Sequence, residues 1–197
     1  VMEALEADGG WTEVYRLRQV EVRDLPDYTF LGATDEPGKV YVTVQPDAPE
    51  GSNTAAVHVF DFATRTMGPA IWSHPQYDAD NIVVDSDTDE LLAGCYWADI
   101  YRCDFKDPAE DRVMAGIRRF FGDGWSIRVV SQARDNSRWL VRASAPNNPG
   151  EFYIFNVAER HMEFVGSIYP RLPEAMLGQM QRVDYTAAGG QDLFGYL

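Results

Sequence analysis

Residues 122–128, GDGWSIR, bring a serine close to a nucleophile elbow. A G-x-S-x-G turn needs glycine two positions before and two after the serine, because the strained strand-to-helix turn leaves no room for side chains there. Gly124 meets the first requirement, but Arg128 stands at the second, and Ile127 and Val129 continue an alternation that reads as strand. Ser126 is therefore expected to be a strand serine. His58, His74 and His161 are the residues that could act as a general base. His58 and His161 lie in or beside a repeated hairpin pattern, and His74 precedes a proline. The expectation is that no residue of this chain is catalytic.

The acidic run DADNIVVDSDTDE raises metal binding next. Asp85, Asp87 and Asp89 alternate as in calcium loops built on D-x-D-x-D. Glu90 stands where such a loop needs glycine, and Tyr96 where it needs a bidentate glutamate, so a solvated turn between strands is expected. Neither a metal nor a cofactor is expected, with calcium at this turn kept as a minor alternative. Cys95 and Cys103 fit neither a disulfide framework nor a C-x-x-C site. A hairpin centred on Asp99 would let their sulfurs face each other, and a one-residue change in turn length would separate them onto opposite faces. Free, buried thiols are the expectation.

The chain has 197 residues, 45% of them hydrophobic and 13% aromatic, enough to bury a core. Its 31 acidic and 17 basic residues give a net charge of −14, which repels phosphate backbones and anionic lipid headgroups. Nucleic acid and membrane are thus excluded as expected partners. No apolar run approaches the length of a membrane span, and the opening VMEALEADGGW lacks the pattern of a secretion signal. The compartment is not legible.

The elements that must position these residues are short apolar alternations, such as KVYVTVQP, AAVHVFDF, ELLAGCYW, RWLVRAS and EFYIFNV, separated by turns rich in Gly, Pro, Asp and Asn. That is the signature of an antiparallel all-β protein. One helix is predicted over 107–121: Asp107 can cap it, Pro108 suits its first position, and Val113, Ile117, Phe120 and Phe121 fall on one side. A second short helix is predicted around PEAMLGQM. The aromatics Tyr96, Trp97, Tyr101, Trp125, Trp139, Phe152, Tyr153 and Phe155 are expected to pack between sheet faces, and PDAPEGSN at 46–53 to form a polar loop.

An internal repeat organises the strands. VFDFATRTM at 59–67 and IFNVAERHM at 154–162 are one hairpin written twice, with Asp61 or Asn156 starting a turn by bonding its own downstream backbone. A weaker copy, YRCDFKDPAED, lies between them. A period of about 40–50 residues with four strands per unit marks a β-propeller blade. The predicted fold is an all-β partial propeller of about three four-stranded antiparallel blades. Its layout is 1–26 as the remnant of a preceding blade, 27–75 as a blade, 79–122 as a blade whose helix replaces or follows its outer strand, and 124–169 as a blade. A linker follows at 170–181. Three and a fraction blades close no ring, so a portion of something larger is expected.

The third unit and the tail resemble the junction between propeller and catalytic domain in the prolyl oligopeptidase (S9) family of serine peptidases, of the acylaminoacyl peptidase and dipeptidyl aminopeptidase type. The resemblance runs through Ser131, Arg134 and Asp135, then Pro149, Gly150, Phe152, Tyr153, Phe155 and Asn156 on a strand. It continues through Tyr169, Pro170 and Leu172, and ends with Tyr185, Gly190, Tyr196 and Leu197 in the closing hairpin. Ala188 and Gly189 depart from the Arg-Asp that the family usually carries before Gly190. The resemblance implies that residues 182–197 begin an α/β-hydrolase domain whose Ser-Asp-His triad lies outside this chain, with the propeller restricting access to peptide substrates.

The partners so implied are a peptide substrate and the hydrolase domain of the same polypeptide. A cut propeller edge together with LFGYL predicts self-association of the fragment, or docking of residues 182–197 on the third unit or on a neighbouring molecule. The competing reading is a standalone propeller-like binding or scaffolding domain for a protein or peptide partner. A calcium-dependent sugar-binding β domain is a third, disfavoured by the broken acidic motif.

Overall fold

The computed structural model describes residues 2–5, 8–15, 28–44, 54–172, 174–190 and 192–197. The loop expected at 46–53 lies outside them, as do residues 1, 6, 7 and 16–26 of the expected N-terminal remnant. Two compact units divide the chain, residues 1–113 and 114–197.

In the first unit, β1 (Met2–Leu5) and β2 (Trp11–Tyr15) form a hairpin. Four strands follow, β3 (Tyr28–Ala33), β4 (Lys39–Val44), β5 (Ala56–Asp61) and β6 (Thr66–Trp72), joined antiparallel in chain order. Next come β7 (Ala79–Val84), β8 (Leu91–Trp97) and β9 (Tyr101–Phe105), a three-stranded antiparallel sheet. The helix α1 (Pro108–Phe121) crosses the boundary between the units. The second unit continues with β10 (Ser126–Gln132), β11 (Arg138–Ala145), β12 (Asn148–Asn156) and β13 (His161–Ser167), again a four-stranded antiparallel sheet in chain order. A single 3-10 turn at Glu174–Met176 precedes the hairpin of β14 (Arg182–Thr186) and β15 (Asp192–Tyr196). This is an all-β, partial propeller-like fold with one α-helix among the described residues.

Alternation along β4 explains why both faces of the first four-stranded sheet are apolar. Tyr41 packs with Val57, Ala79 and Leu91 on one face, while Val42 and Val44 pack with Phe60 on the other. A strand buried on both sides is what stacked sheets require, and KVYVTV supplies it with β-branched and aromatic residues.

The repeated hairpin has a local cause. The Asp61 carboxylate accepts the amides of Ala63 (2.8 Å) and Thr64 (3.1 Å), and the Asn156 side chain accepts that of Glu159 (3.1 Å). Four residues after each, Arg65 (φ 56°) and Arg160 (φ 51°) turn left-handed to close the reversal. The turn at 85–89 is built likewise: Asp85 accepts the Asp87 and Thr88 amides, and Asp89 adopts φ 57°. These amides hold the Asp85 carboxyl below the ordinary carboxylate range. The acidic run is thus a third copy of the turn. The weaker copy read at YRCDFKDPAED forms no such hairpin, because Asp107 instead accepts the Ala109 amide (2.7 Å) and caps α1 at Pro108. The middle sheet consequently has three strands rather than four.

Two further expectations change. The buried stripe of α1 runs through Glu110, Met114 and Ile117 at i, i+4 and i+7, while Phe120 is exposed. PEAMLGQM forms only the one 3-10 turn.

The two cysteines are bonded, contrary to the expected free thiols: Cys95 and Cys103 pair directly across β8 and β9 and form a disulfide. Lys106 donates to the Leu92 carbonyl and Ala98 to that of Ile100, so even-numbered pairs of this ladder carry the hydrogen bonds. Cys95–Cys103 is therefore a narrow, non-hydrogen-bonded pair with Cα atoms 4.0 Å apart, where both Cβ atoms leave the same face. Turn length settled the register that spacing alone left open. The denatured protein should be two hydrogens lighter without reductant than with it. Reduction should cost about 2.5 kcal/mol, given the short loop closed, and equal masses would contradict the pairing.

Candidate functional site

Ser126 opens β10 opposite Ser144. His161, in the same unit, starts β13 opposite Asn156, whose other partner Arg138 begins β11. Serine and histidine therefore stand at opposite ends of one sheet and form no nucleophile–base pair. His58 bonds the Gly68 carbonyl through Nδ1 at 2.9 Å, bridging β5 to β6. Among the described residues no group of three or more His, Cys, Asp or Glu side chains is arranged to hold a metal.

His74 anchors an aromatic knot instead. Its Nδ1 accepts the amides of Gln76 and Tyr77, both at 3.1 Å, which leaves Nε2 to carry the ring proton. The ring stacks on Tyr96 (centroids 4.3 Å apart), Tyr77 stacks on the same Tyr96 (5.4 Å), and Trp72 lies 6.1 Å from it. Thr54 donates to the His74 carbonyl (2.7 Å), and the Asp78 carboxylate accepts the Ala55 amide (2.7 Å). The loop at 73–78 thus ties the start of β5 to the start of β7. This loop is a joint between consecutive sheets. Sequence reading missed Asp78 and Thr54, whose only signal was their turn-forming type beside the His-Pro pair.

In the second unit Tyr153 sits among Phe120, Phe121 and Phe164, with ring centroids 5.0–6.3 Å away, and its hydroxyl donates to Glu151 at 2.5 Å. Desolvation first, and then this bond to the carboxylate, push the phenol up to about 12. A folded-state value above the ordinary value near 10 favours the native state fully at lower pH, and that contribution disappears as pH rises toward 12. Tyr153 should therefore ionise late in an alkaline titration, with loss of stability. Burial raises the Tyr41 phenol as well, so Tyr153→Phe should remove one tyrosinate from the late absorbance rise, and an unchanged late amplitude would refute the assignment.

The C-terminal part of this unit displays apolar side chains to solvent. Tyr169, Leu172, Met176, Tyr185 and Phe194 are exposed, and Leu197 is 85% so. An open groove of about 420 Å3 runs along Ile168–Leu172, and a cleft of about 370 Å3 lies against the β14–β15 hairpin. That hairpin pairs its own arms over five residue pairs, Arg182↔Tyr196 to Thr186↔Asp192. The two arms are thus each other's partners in a closed hairpin.

No protein-family model matches the chain, and neither does any curated protein sequence. Solved structures do. The chain is similar to apo prolyl oligopeptidase B from Galerina marginata, at 13% identity and a TM-score of 0.50, over 98% of this chain and 27% of that one. It is similar to the same enzyme bound to a 25mer macrocyclization substrate, at 13% identity and a TM-score of 0.51, over 98% and 26%. The form bound to a 35mer hydrolysis and macrocyclization substrate gives 13% and 0.50, again over 98% and 26%. The chain therefore shares its fold with part of a prolyl oligopeptidase, and spans about a quarter of that enzyme's length.

Proposed function

We propose that this chain is the noncatalytic propeller portion of a longer S9-family serine peptidase, of the acylaminoacyl peptidase or dipeptidyl aminopeptidase type. Its substrate is a peptide that the propeller admits to an α/β-hydrolase active site elsewhere in the polypeptide. The observation that carries this reading is the succession of three antiparallel sheets, similar over 98% of the chain to prolyl oligopeptidase B. The sheets at 28–72, 79–105 and 126–167 are its blades, the hairpin at 2–15 the remnant of another, and residues 182–197 lead into the hydrolase domain. The exposed apolar side chains from Tyr169 onward support that last assignment, since they would be covered by the domain that follows.

A fluorophosphonate probe, which reports an activated serine, tests the proposal. The polypeptide encoded by the extended reading frame should label at a serine of a G-x-S-x-G motif beyond Leu197, and residues 1–197 alone should neither label nor hydrolyse aminoacyl or ester substrates. Labelling of residues 1–197 that is lost on Ser126→Ala would overturn it, as would an extended frame without the motif.

A further inference from the structure

The turn at His74 is built as the turns at Asp61 and Asp85 are, but with a different acceptor. Asp61 accepts the amides of Ala63 and Thr64, Asp85 those of Asp87 and Thr88, and His74 Nδ1 those of Gln76 and Tyr77, each time two and three residues on. In the first two turns the amides hold the carboxyls below their ordinary range, so the acceptors persist well into acid. Imidazole instead changes its charge between about pH 5 and 8. The His74 ring is half-buried, within reach of solvent protons. Because Nε2 already carries a proton, the second one falls on Nδ1, and an acceptor becomes a donor facing two donors at 3.1 Å. His58 is the opposite case: its Nδ1 donates to the Gly68 carbonyl, and the cation keeps that bond.

Loss of the His74 turn reaches beyond the loop. A ring that can no longer accept the two amides must move away from them, and moving forfeits its stack on Tyr96 of β8, beside Tyr77 and Trp72. The same loop receives the bond from Thr54 to the His74 carbonyl and the bond from the Ala55 amide to Asp78, and it ends where Ala79 donates to the Ala55 carbonyl at 2.9 Å. The charged groups around the knot are Asp78 in the loop, Asp80 on β7, and Arg102 and Asp104 on β9, of which Arg102 pairs opposite Tyr96 and Asp104 accepts its hydroxyl. The carboxylates favour an imidazolium and the guanidinium disfavours it. A screened attraction to carboxylates gives Nδ1–H no acceptor, however, while two amides occupy its approach.

We propose that His74 is a proton-operated latch: when Nδ1 is protonated the turn at 74–77 opens, the ring leaves Tyr96, and the joint between the β3–β6 and β7–β9 sheets loosens. The joint is closed while the ring is neutral, and its contribution is lost as pH falls through the titration of that ring. The latch uses no catalytic residue and stands whether or not the chain belongs to a peptidase.

Amide exchange and the histidine ring resonances of residues 1–197, followed together from about pH 8 to about pH 5, provide the test. The protection factor of the Ala79 amide, which removes the intrinsic pH dependence of exchange, should fall at least about tenfold with the midpoint of the His74 ring, while the β11–β12 ladder keeps its protection. His74→Asn places a carboxamide oxygen where Nδ1 stands, an acceptor at every pH, as Asn156 is for Glu159. In that variant Ala79 protection, whatever its level, should change less than about twofold between the two pH values. Ala79 protection unchanged while His74 titrates, a fall that follows the His58 or His161 ring instead, or the same acid fall in His74→Asn would each overturn the proposal. The first two readings come from the native chain, so poor folding of the variant cannot obscure the answer.

Discussion

Gly94→Ala should destabilise the first unit by about 3 kcal/mol, the upper part of the overpacking range, and lower Tm by roughly 6–12 °C for a chain of this size. Alanine would ordinarily be the better residue in a strand interior, because glycine loses more backbone freedom on folding. Here the added Cβ would lie 2.0 Å from Trp72 Cδ2, 2.2 Å from Cε2 and 2.5 Å from Cε3. These are atoms of a rigid bicyclic ring, not the end of a flexible chain. The indole cannot swing aside cheaply, since it belongs to the stack on Tyr96 that His74 and Tyr77 complete. Steric cost therefore outweighs the entropic gain several-fold. The double variant Gly94→Ala with Trp72→Leu should lose less than the sum of the two single losses, as expected when two residues share one volume. A Gly94→Ala protein within 1 kcal/mol of the parent in urea unfolding, or strict additivity of the pair, would show that the two sheets do not meet there.

Trp139→Ala should cost about 3–5 kcal/mol, the range for emptying an aromatic core site. Trp139 is fully buried, the largest such side chain among the described residues, on the face of β11 that also carries the fully buried Val141 and Ala143. Its loss also removes the bond from Nε1 to Asn136 Oδ1, which ties the indole to the turn where Asn136 adopts φ 55°. Trp139→Phe should recover part of the loss by refilling volume without restoring that donor. Because the chain has two units, unfolding need not be one transition. Hydrogen exchange should accordingly show protection lost across β10–β13 while the β3–β6 ladder keeps its own. Uniform loss over both units, or a cost below about 1 kcal/mol against the same range, would contradict the placement of this core.

Local chemistry settled much of the architecture without tertiary help. Alternation wrote the strands, because a pleated chain sends successive side chains to opposite faces, and β4 does so with Tyr41 on one side and Val42 on the other. Asp61 and Asn156 announced their turns, since a short side-chain acceptor can bond amides two and three residues on without any distant partner. Asp107 and Pro108 likewise wrote the start of α1. Ser126 could be read as a strand residue from its immediate neighbours, as β10 shows.

What depended on register and packing was decided only in three dimensions. The Cys95–Cys103 disulfide required the parity of the β8–β9 ladder, which a single residue in the turn would invert. Asp85 was legible as part of a turn between strands, but that its carboxylate accepts the amides of Asp87 and Thr88 came only from the structure. Gly94 was one glycine among 16 until the indole of Trp72 filled the space above it. What His74 touches was not legible from the proline beside it. Its stack on Tyr96 and the bond from Thr54 to its carbonyl join three separate segments, and proximity between segments distant in sequence is set by sheet register and side-chain packing rather than by any local propensity.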